Sequence, residues 1–175
     1  SMEELRRRDV EKYPRAGQEA YLFEGCQFMA PGEKLVVSRQ DRYIEVLPHK
    51  HDYIELCYVW SGTCQQTIEG RKVETRQGDM CIFDTQAVHS IDAGGENDIV
   101  VNILMRKEFF DGAFLSRMPG QGIVSEFLAD SVTKSRKKRH YLLFHSRKNP
   151  RVHDIMEHIM MEYYTEDIGM REVLE

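Results

Sequence analysis

No stretch of the 175 residues approaches the roughly 20 consecutive apolar residues that a membrane-spanning helix requires. The polar start SMEELRRRDVEK also lacks the apolar core of a signal peptide, so a cytoplasmic protein is expected. Paired cysteine motifs are missing too. Cys26, Cys57, Cys64 and Cys81 form no C-x-x-C pair, and each falls in or beside a predicted strand, which favours reduced packing thiols over a disulfide framework. Positive charge is in deficit: 24 Lys and Arg against 29 Asp and Glu leave a net charge of −5, a field that repels nucleic acid. The basic run from Lys134 to Arg139 has no interleaved aromatics and reads as a solvated loop. A helix stop is absent as well, because IGMREVLE from Ile168 to Glu175 breaks off without Gly, Asn or Pro. Ser1 before Met2 has the look of a tag-cleavage remnant, and together these features suggest one domain of a longer protein.

What is present suits a soluble globular domain, since 41% hydrophobic and 30% charged residues can build one substantial core. A short charged helix is expected over residues 3–15, ended with the help of Pro14. Pro-Gly, Ser-Gly, Glu-Gly, Gln-Gly-Asp and Gly-Gly turns then punctuate short apolar runs. Strands are predicted near 20–24, 35–39, 43–46, 51–60, 63–69, 72–76, 80–84, 88–92 and 98–105, the spacing of an all-β double-sheet jelly roll. From Lys107 the period becomes helical through KEFFDGAFL and Val124 to Thr133, and HYLLFHS at 140–146 looks like a returning strand. Asn149 as N-cap and Pro150 at the first helical position open a last helix. Its stripe of Val152, Ile155, Met156, Ile159, Met160, Tyr163 and Tyr164 must be buried, either on the outside of the barrel or against a second subunit. His153 and His158 fall off the stripe and are expected in solvent.

The chemistry concentrates in PHKHDYIELCYVWSG. If this run is one extended strand, His49, His51, Tyr53, Glu55 and Cys57 share a face, and His89 follows after a Gly-Asp turn. Two or three imidazoles with one carboxylate suit Zn, Fe, Mn or Ni with open positions, while the same residues without metal make the polar wall of a pocket. Both readings stand at this point. Tyr53, Cys57 and Asn102 are secondary ligand-binding candidates, Asn102 because it is the one polar residue in the apolar run IVVNILM.

These residues resemble a known pattern. His49-x-His51-x3-Glu55-x6-Gly62 has the spacing of the first cupin motif, and Gly78 with His89 matches anchors of the second. In the second, Asp84 and Gln86 stand where cupin enzymes usually carry Pro and Gly, and Ala93 replaces the usual Asn. The wider text, HDYIELCYVWSG, TIEGRKVETRQGDMCIFDTQAVHSI and DIVVNILMRKEFF, resembles the N-terminal sensor domain of AraC-type transcription regulators over roughly residues 18–175.

The resemblance implies a mainly β, cupin-like double-stranded β-helix followed by C-terminal α-helices. Residues 1–17 would be an N-terminal segment, 18–146 the effector-binding barrel with short helices within 107–134, and 147–175 the dimerisation or linker helices. It further implies a homodimer that binds a small polar effector, such as a sugar, through His49, His51, Glu55 and His89. DNA would be met only through a helix-turn-helix part beyond Glu175. A cupin metalloenzyme using His49, His51, Glu55 and His89 as metal ligands is the competing expectation, which the altered second motif disfavours.

Overall fold

A computed structural model describes residues 20–118, 122–133 and 139–165. The helix expected over residues 3–15, the basic residues 134–138 and the segment 168–175 lie outside the described residues. Among the described residues, ten strands form two five-stranded sheets: β1 (Tyr21–Phe23), β2 (Leu35–Arg39), β3 (Val46–His51), β4 (Ile54–Ser61), β5 (Thr63–Ile68), β6 (Arg71–Arg76), β7 (Met80–Phe83), β8 (His89–Ile91), β9 (Ile99–Met105) and β10 (Tyr141–Phe144). One sheet runs β1-β3-β8-β5-β6 and the other β10-β7-β4-β9-β2. All pairings are antiparallel except β1 with β3. The two-sheet, mainly β architecture is the one the turn spacing predicts.

Two strand boundaries differ from the sequence expectation, and the difference matters for the site. Tyr43 sits in the left-handed region (φ 66°), so no strand begins there, and the strand predicted at 43–46 starts instead at Val46 and runs to His51. The chain then breaks at Asp52 and Tyr53 before β4 begins at Ile54. Asp52 is drawn out of register by β1 and the 3-10 turn after it. Its backbone N–H donates to the Phe23 carbonyl (3.2 Å), and its carboxylate accepts from the Gly25 N–H (2.7 Å).

Glycine permits two tight approaches. Gly62 turns the chain from β4 in one sheet to β5 in the other at φ 71°, and a Cβ there would stand 2.8 Å from the Asn97 carbonyl oxygen. At Gly78, φ 87°, a Cβ would lie 2.7 Å from Cα of Arg147. Asp84, in the place of a usual proline, makes its own turn: Oδ1 accepts from the N–H groups of Gln86 (2.7 Å) and Ala87 (3.1 Å).

Among the described residues there are three α-helices: α1 (Gly112–Arg117) and α2 (Ile123–Thr133) between β9 and β10, and α3 (Pro150–Thr165) after β10. Asp111 caps α1 by accepting from the Phe114 N–H (2.8 Å), and Asn149 caps α3 by accepting from Arg151 N–H (3.2 Å). Val152, Met156, Ile159, Met160 and Tyr163 of α3 pack on the outer face of the β4 sheet, where Ile54, Tyr58, Val101 and Ile103 lie. Ile155 and Tyr164 of the expected stripe are largely exposed. His153 corrects the expectation of a solvated residue: its ring centroid lies 4.4 Å from that of Trp60, and Nδ1 is 3.0 Å from the Tyr58 hydroxyl. β4 is thus covered on both faces, with Ile54, Tyr58 and Trp60 towards α3 and Glu55, Cys57 and Val59 towards the barrel interior.

Candidate functional site

His49 and His51 stand on β3 and His89 on β8, directly opposite His49 in the same sheet; Glu55 stands on β4 in the other sheet. His49, His51 and Glu55 therefore do not share one strand face, as the sequence suggested. They converge across the barrel interior because β3 and β4 belong to different sheets facing each other, joined by the break at Asp52 and Tyr53. None of the four is more than 6% exposed. Any polar atom left without a partner there is cut off from bulk water, at a cost of about 1–3 kcal/mol each.

The hydrogen bonds fix two tautomers. His49 Nδ1 lies 2.9 Å from the Leu47 carbonyl and His51 Nδ1 lies 2.7 Å from the Tyr53 carbonyl. A carbonyl only accepts, so both Nδ1 atoms carry a proton, and in the neutral rings both Nε2 atoms present lone pairs. His51 Nε2 nonetheless stands 3.1 Å from Glu55 Oε2, and His89 Nε2 stands 3.3 Å from the same oxygen. Neither contact is aligned as a hydrogen bond, and both nitrogens of His89 and Oε2 of Glu55 lack one elsewhere. Burial, then the neighbouring His89, lowers the His49 pKa to about 3. Burial alone would raise Glu55, but an Nε2 proton on His51 or His89 overrides it by hydrogen bonding and charge, and holds the carboxyl well below its usual range.

The interior thus carries one carboxylate, the Nε2 lone pairs of His49 and His51, and one His89 N–H whose position no hydrogen bond fixes. One ligand atom each from His49, Glu55 and His89 falls within 4.8 Å of the others. That donor set fits a divalent transition metal such as Zn, Ni, Fe or Mn, and the backbone carbonyls behind His49 and His51 are the outer partners such ligands use. His51 Nε2 stands 3.1 Å from Glu55 Oε2, beside this group of three.

Of the secondary candidates, Tyr53 joins the site as a wall. It stacks on His51 with 4.4 Å between centroids, and burial followed by the Glu55 charge pushes its phenol well up, so it stays neutral. Cys57 lies on the interior face of β4 one step further in. Its contact with Cys64 and its burial push the thiol up, and burial does the same to Cys81. All four cysteines are free, Cys26 exposed and the other three buried. Asn102 faces the interior from β9 opposite Cys57, apart from the histidines: Leu104 occupies the place beside Glu55.

Several site neighbours escape sequence reasoning. Phe83 stacks on His89 at 4.0 Å, Phe23 lies 4.5 Å from His49, and Phe28 meets Tyr53 edge-on at 6.0 Å. The alternation in MCIF could have placed Phe83 inside with Cys81. Nothing local connects Phe23 to His49, which meet only through the parallel pairing of Phe23 with His51 and of Tyr21 with His49.

The chain matches the family of the AraC-like ligand binding domain over residues 36–167. Among solved structures it is similar to unsaturated-fatty-acid-bound ToxT from Vibrio cholerae, with 12% identity, a TM-score of 0.52, and coverage of 78% of this chain and 49% of that one. An apo ToxT variant from the same organism gives 11% identity and a TM-score of 0.50 over 77% of this chain and 51% of that one. KdgF from Halomonas sp. aligns with 41% of this chain and 69% of its own at 23% identity and a TM-score of 0.38. The chain spans about half the length of the ToxT chains it matches. No curated protein matches it in sequence. Among the described residues, no helix is long and apolar enough to cross a membrane.

Proposed function

The chain belongs to the family of AraC-like ligand binding domains, and from that premise we propose that it is the effector-binding and dimerisation domain of a bacterial AraC-type transcription regulator. In this reading a small polar metabolite, a sugar among the candidates, enters the barrel and is held by His49, His51, Glu55 and His89, with Tyr53 and Phe23 as walls. Dimerisation would use the C-terminal helices, and DNA would be bound by a helix-turn-helix part outside this chain.

The observation that carries the reading is the buried set of polar atoms without a hydrogen bond: His51 Nε2, both nitrogens of His89, one of which carries a proton, and Glu55 Oε2. A ligand hydroxyl donates to a carboxylate and accepts from an imidazole N–H, so a hydroxylated molecule satisfies both kinds of atom. His49, His51, Glu55 and His89 also fit a divalent metal, which when bound would supply a positive centre for a ligand oxygen. An unsaturated fatty acid is the ligand named for ToxT. A carboxylate of that kind would meet Glu55 head-on here, so it would need that positive centre where a hydroxyl would not.

The test is a thermal-shift screen of sugars and other polar metabolites, with and without divalent metal, on the wild type and on His51→Ala. A ligand that raises Tm in the wild type but not in a folded His51→Ala protein supports effector binding at this site. Ligands that act equally on both would place the effector elsewhere. A cupin metalloenzyme remains the second reading, favoured by the same donor set; stoichiometric metal with turnover would establish it instead.

A further inference from the structure

We propose that the barrel interior holds a second metal site, apart from the histidine cluster, in which the sulfurs of Cys57 and Cys64 bind a single Cu(I) ion between the two sheets. Three of the four cysteines meet in the interior: Cys57, Cys64 and Cys81 are 2%, 5% and 0% exposed and belong to one buried cluster. Cys57 and Cys81 are partners across the β4–β7 pairing, while Cys64 faces them from β5 in the opposite sheet. A side-chain hydrogen bond links Cys57 to Cys64. Two sulfurs therefore touch across the interior, and an ion that displaces the two thiol protons to water bridges the sheets there.

The surroundings choose the ion. Among the described residues, the one set of three ligand atoms close enough to share a metal is that of His49, Glu55 and His89. No third thiol, imidazole or carboxylate therefore stands within reach of both sulfurs. Val59, Ile68, Ala87, Ile91 and Val100 pack around the pair and supply only carbon. The polar neighbours are amides, Asn102 opposite Cys57 on β9 and Gln66 two places after Cys64, and their hard oxygens suit hard cations. Zn completes a set of four donors in a structural site, which this pair cannot provide. Cu(I) is the soft ion that thiolates select, and its closed shell is satisfied by two of them in line.

The pair has an entrance. Cys64 lines a cleft of ≈ 410 Å³, much of it open to solvent, so its sulfur is the first that an entering ion meets and Cys57 is the second. Asp41, Asp92 and Asp98 line the same cleft against a single cation, Arg42, whose guanidinium donates to the Glu96 carbonyl (2.6 Å). That excess of negative charge steers a cation inward without itself being the site. The acidic rim supplies the approach and the two thiols supply the selectivity.

The test is an anaerobic titration of the reduced, chelator-treated chain with Cu(I) buffered by bathocuproine disulfonate. One equivalent should be held against the chelator, excess Zn should not displace it, and copper-edge X-ray absorption should show two sulfur neighbours with no nitrogen or oxygen. Losing a ligand costs more than losing an outer contact, so Cys57→Ala and Cys64→Ser should each weaken Cu(I) binding by more than about 100-fold. Cys26→Ser, at the surface, and His89→Ala should bind Cu(I) as the wild type does, which separates this site from the histidine cluster. The absorption measurement needs no variant, so it decides the matter even where a cysteine replacement fails to fold. Nitrogen or oxygen neighbours, no equivalent retained, loss of Cu(I) in His89→Ala, or folded Cys57→Ala or Cys64→Ser proteins with wild-type affinity would overturn the proposal.

Discussion

Glu55 shows how a single buried residue can be unfavourable to the empty protein and necessary to the filled one. Once the Tyr53 carbonyl has taken the Nδ1 proton of His51, the Nε2 lone pair faces the carboxylate at 3.1 Å, and two acceptors at that separation repel unless a proton or a cation lies between them. Replacing the charge by an amide removes the repulsion and the cost of burying an unpaired anion. Glu55→Gln is therefore expected to leave metal-free protein as stable as the wild type or up to ~2 kcal/mol more stable in urea unfolding. The same change should weaken Zn or Ni binding by ~10–100-fold in a competition titration with a chromogenic chelator, because one anionic ligand is gone. A marked loss of stability in the metal-free variant would mean that Glu55 is satisfied structurally by the histidines alone.

Single carboxylates also tie the elements together. Asp98 accepts from Thr63 and Gly95 and so joins the start of β5 to the loop before β9, and these backbone hydrogen bonds hold its carboxyl below the usual range. A depressed folded-state value means that this stabilisation is complete above the ordinary carboxylate range and is lost as pH falls through the depressed value. Asp98→Asn should flatten the acid side of the stability profile below about pH 4, as followed by urea unfolding at several pH values, and solvent screening keeps the change small. A second tie joins the barrel to α3. Buried Asp79 accepts from Arg147 Nε (3.2 Å) and lies 3.3 Å from His145 Nδ1, directly after Gly78, over which the Arg147 backbone passes. Gly78→Ala meets both a positive φ and a backbone atom at 2.7 Å, so it should cost ~2–4 kcal/mol in chemical denaturation. Trp60 is the sole tryptophan and stacks on His153 of α3, so its emission should report undocking of that helix in the same sample.

At the scale of the whole molecule, the jelly roll was legible because Gly and Asp turns separate runs of the right length, and α3 because Asn149 and Pro150 announce its start. The four polar residues of the site were legible by spacing, but the geometry joining them was not. Period-two alternation carried His49 and His51 onto the same strand as Glu55. The break at Asp52 depends on a bond to Gly25, 27 residues away, which no local pattern reveals. His153 was misplaced for a similar reason, since its partners Tyr58 and Trp60 lie on a strand far back in the chain.

That same strand supplies a route from the interior to α3: β4 presents Glu55 to the lumen and, on its other face, Tyr58 and Trp60 to His153. A ligand can shift α3 only if it binds two arrangements of β4 with different affinity. Adding Zn to chelator-treated protein at about a hundred times its dissociation constant should stabilise it by ~2.7 kcal/mol through binding at the histidine cluster. For a chain of this size that corresponds to a Tm rise of roughly 5–10 °C. Trp60 emission should change over the same titration, and His89→Ala should abolish both responses. A rise in Tm with unchanged Trp60 emission would show that the interior binds metal without moving the helix, and the signal would then have to leave the barrel by another element.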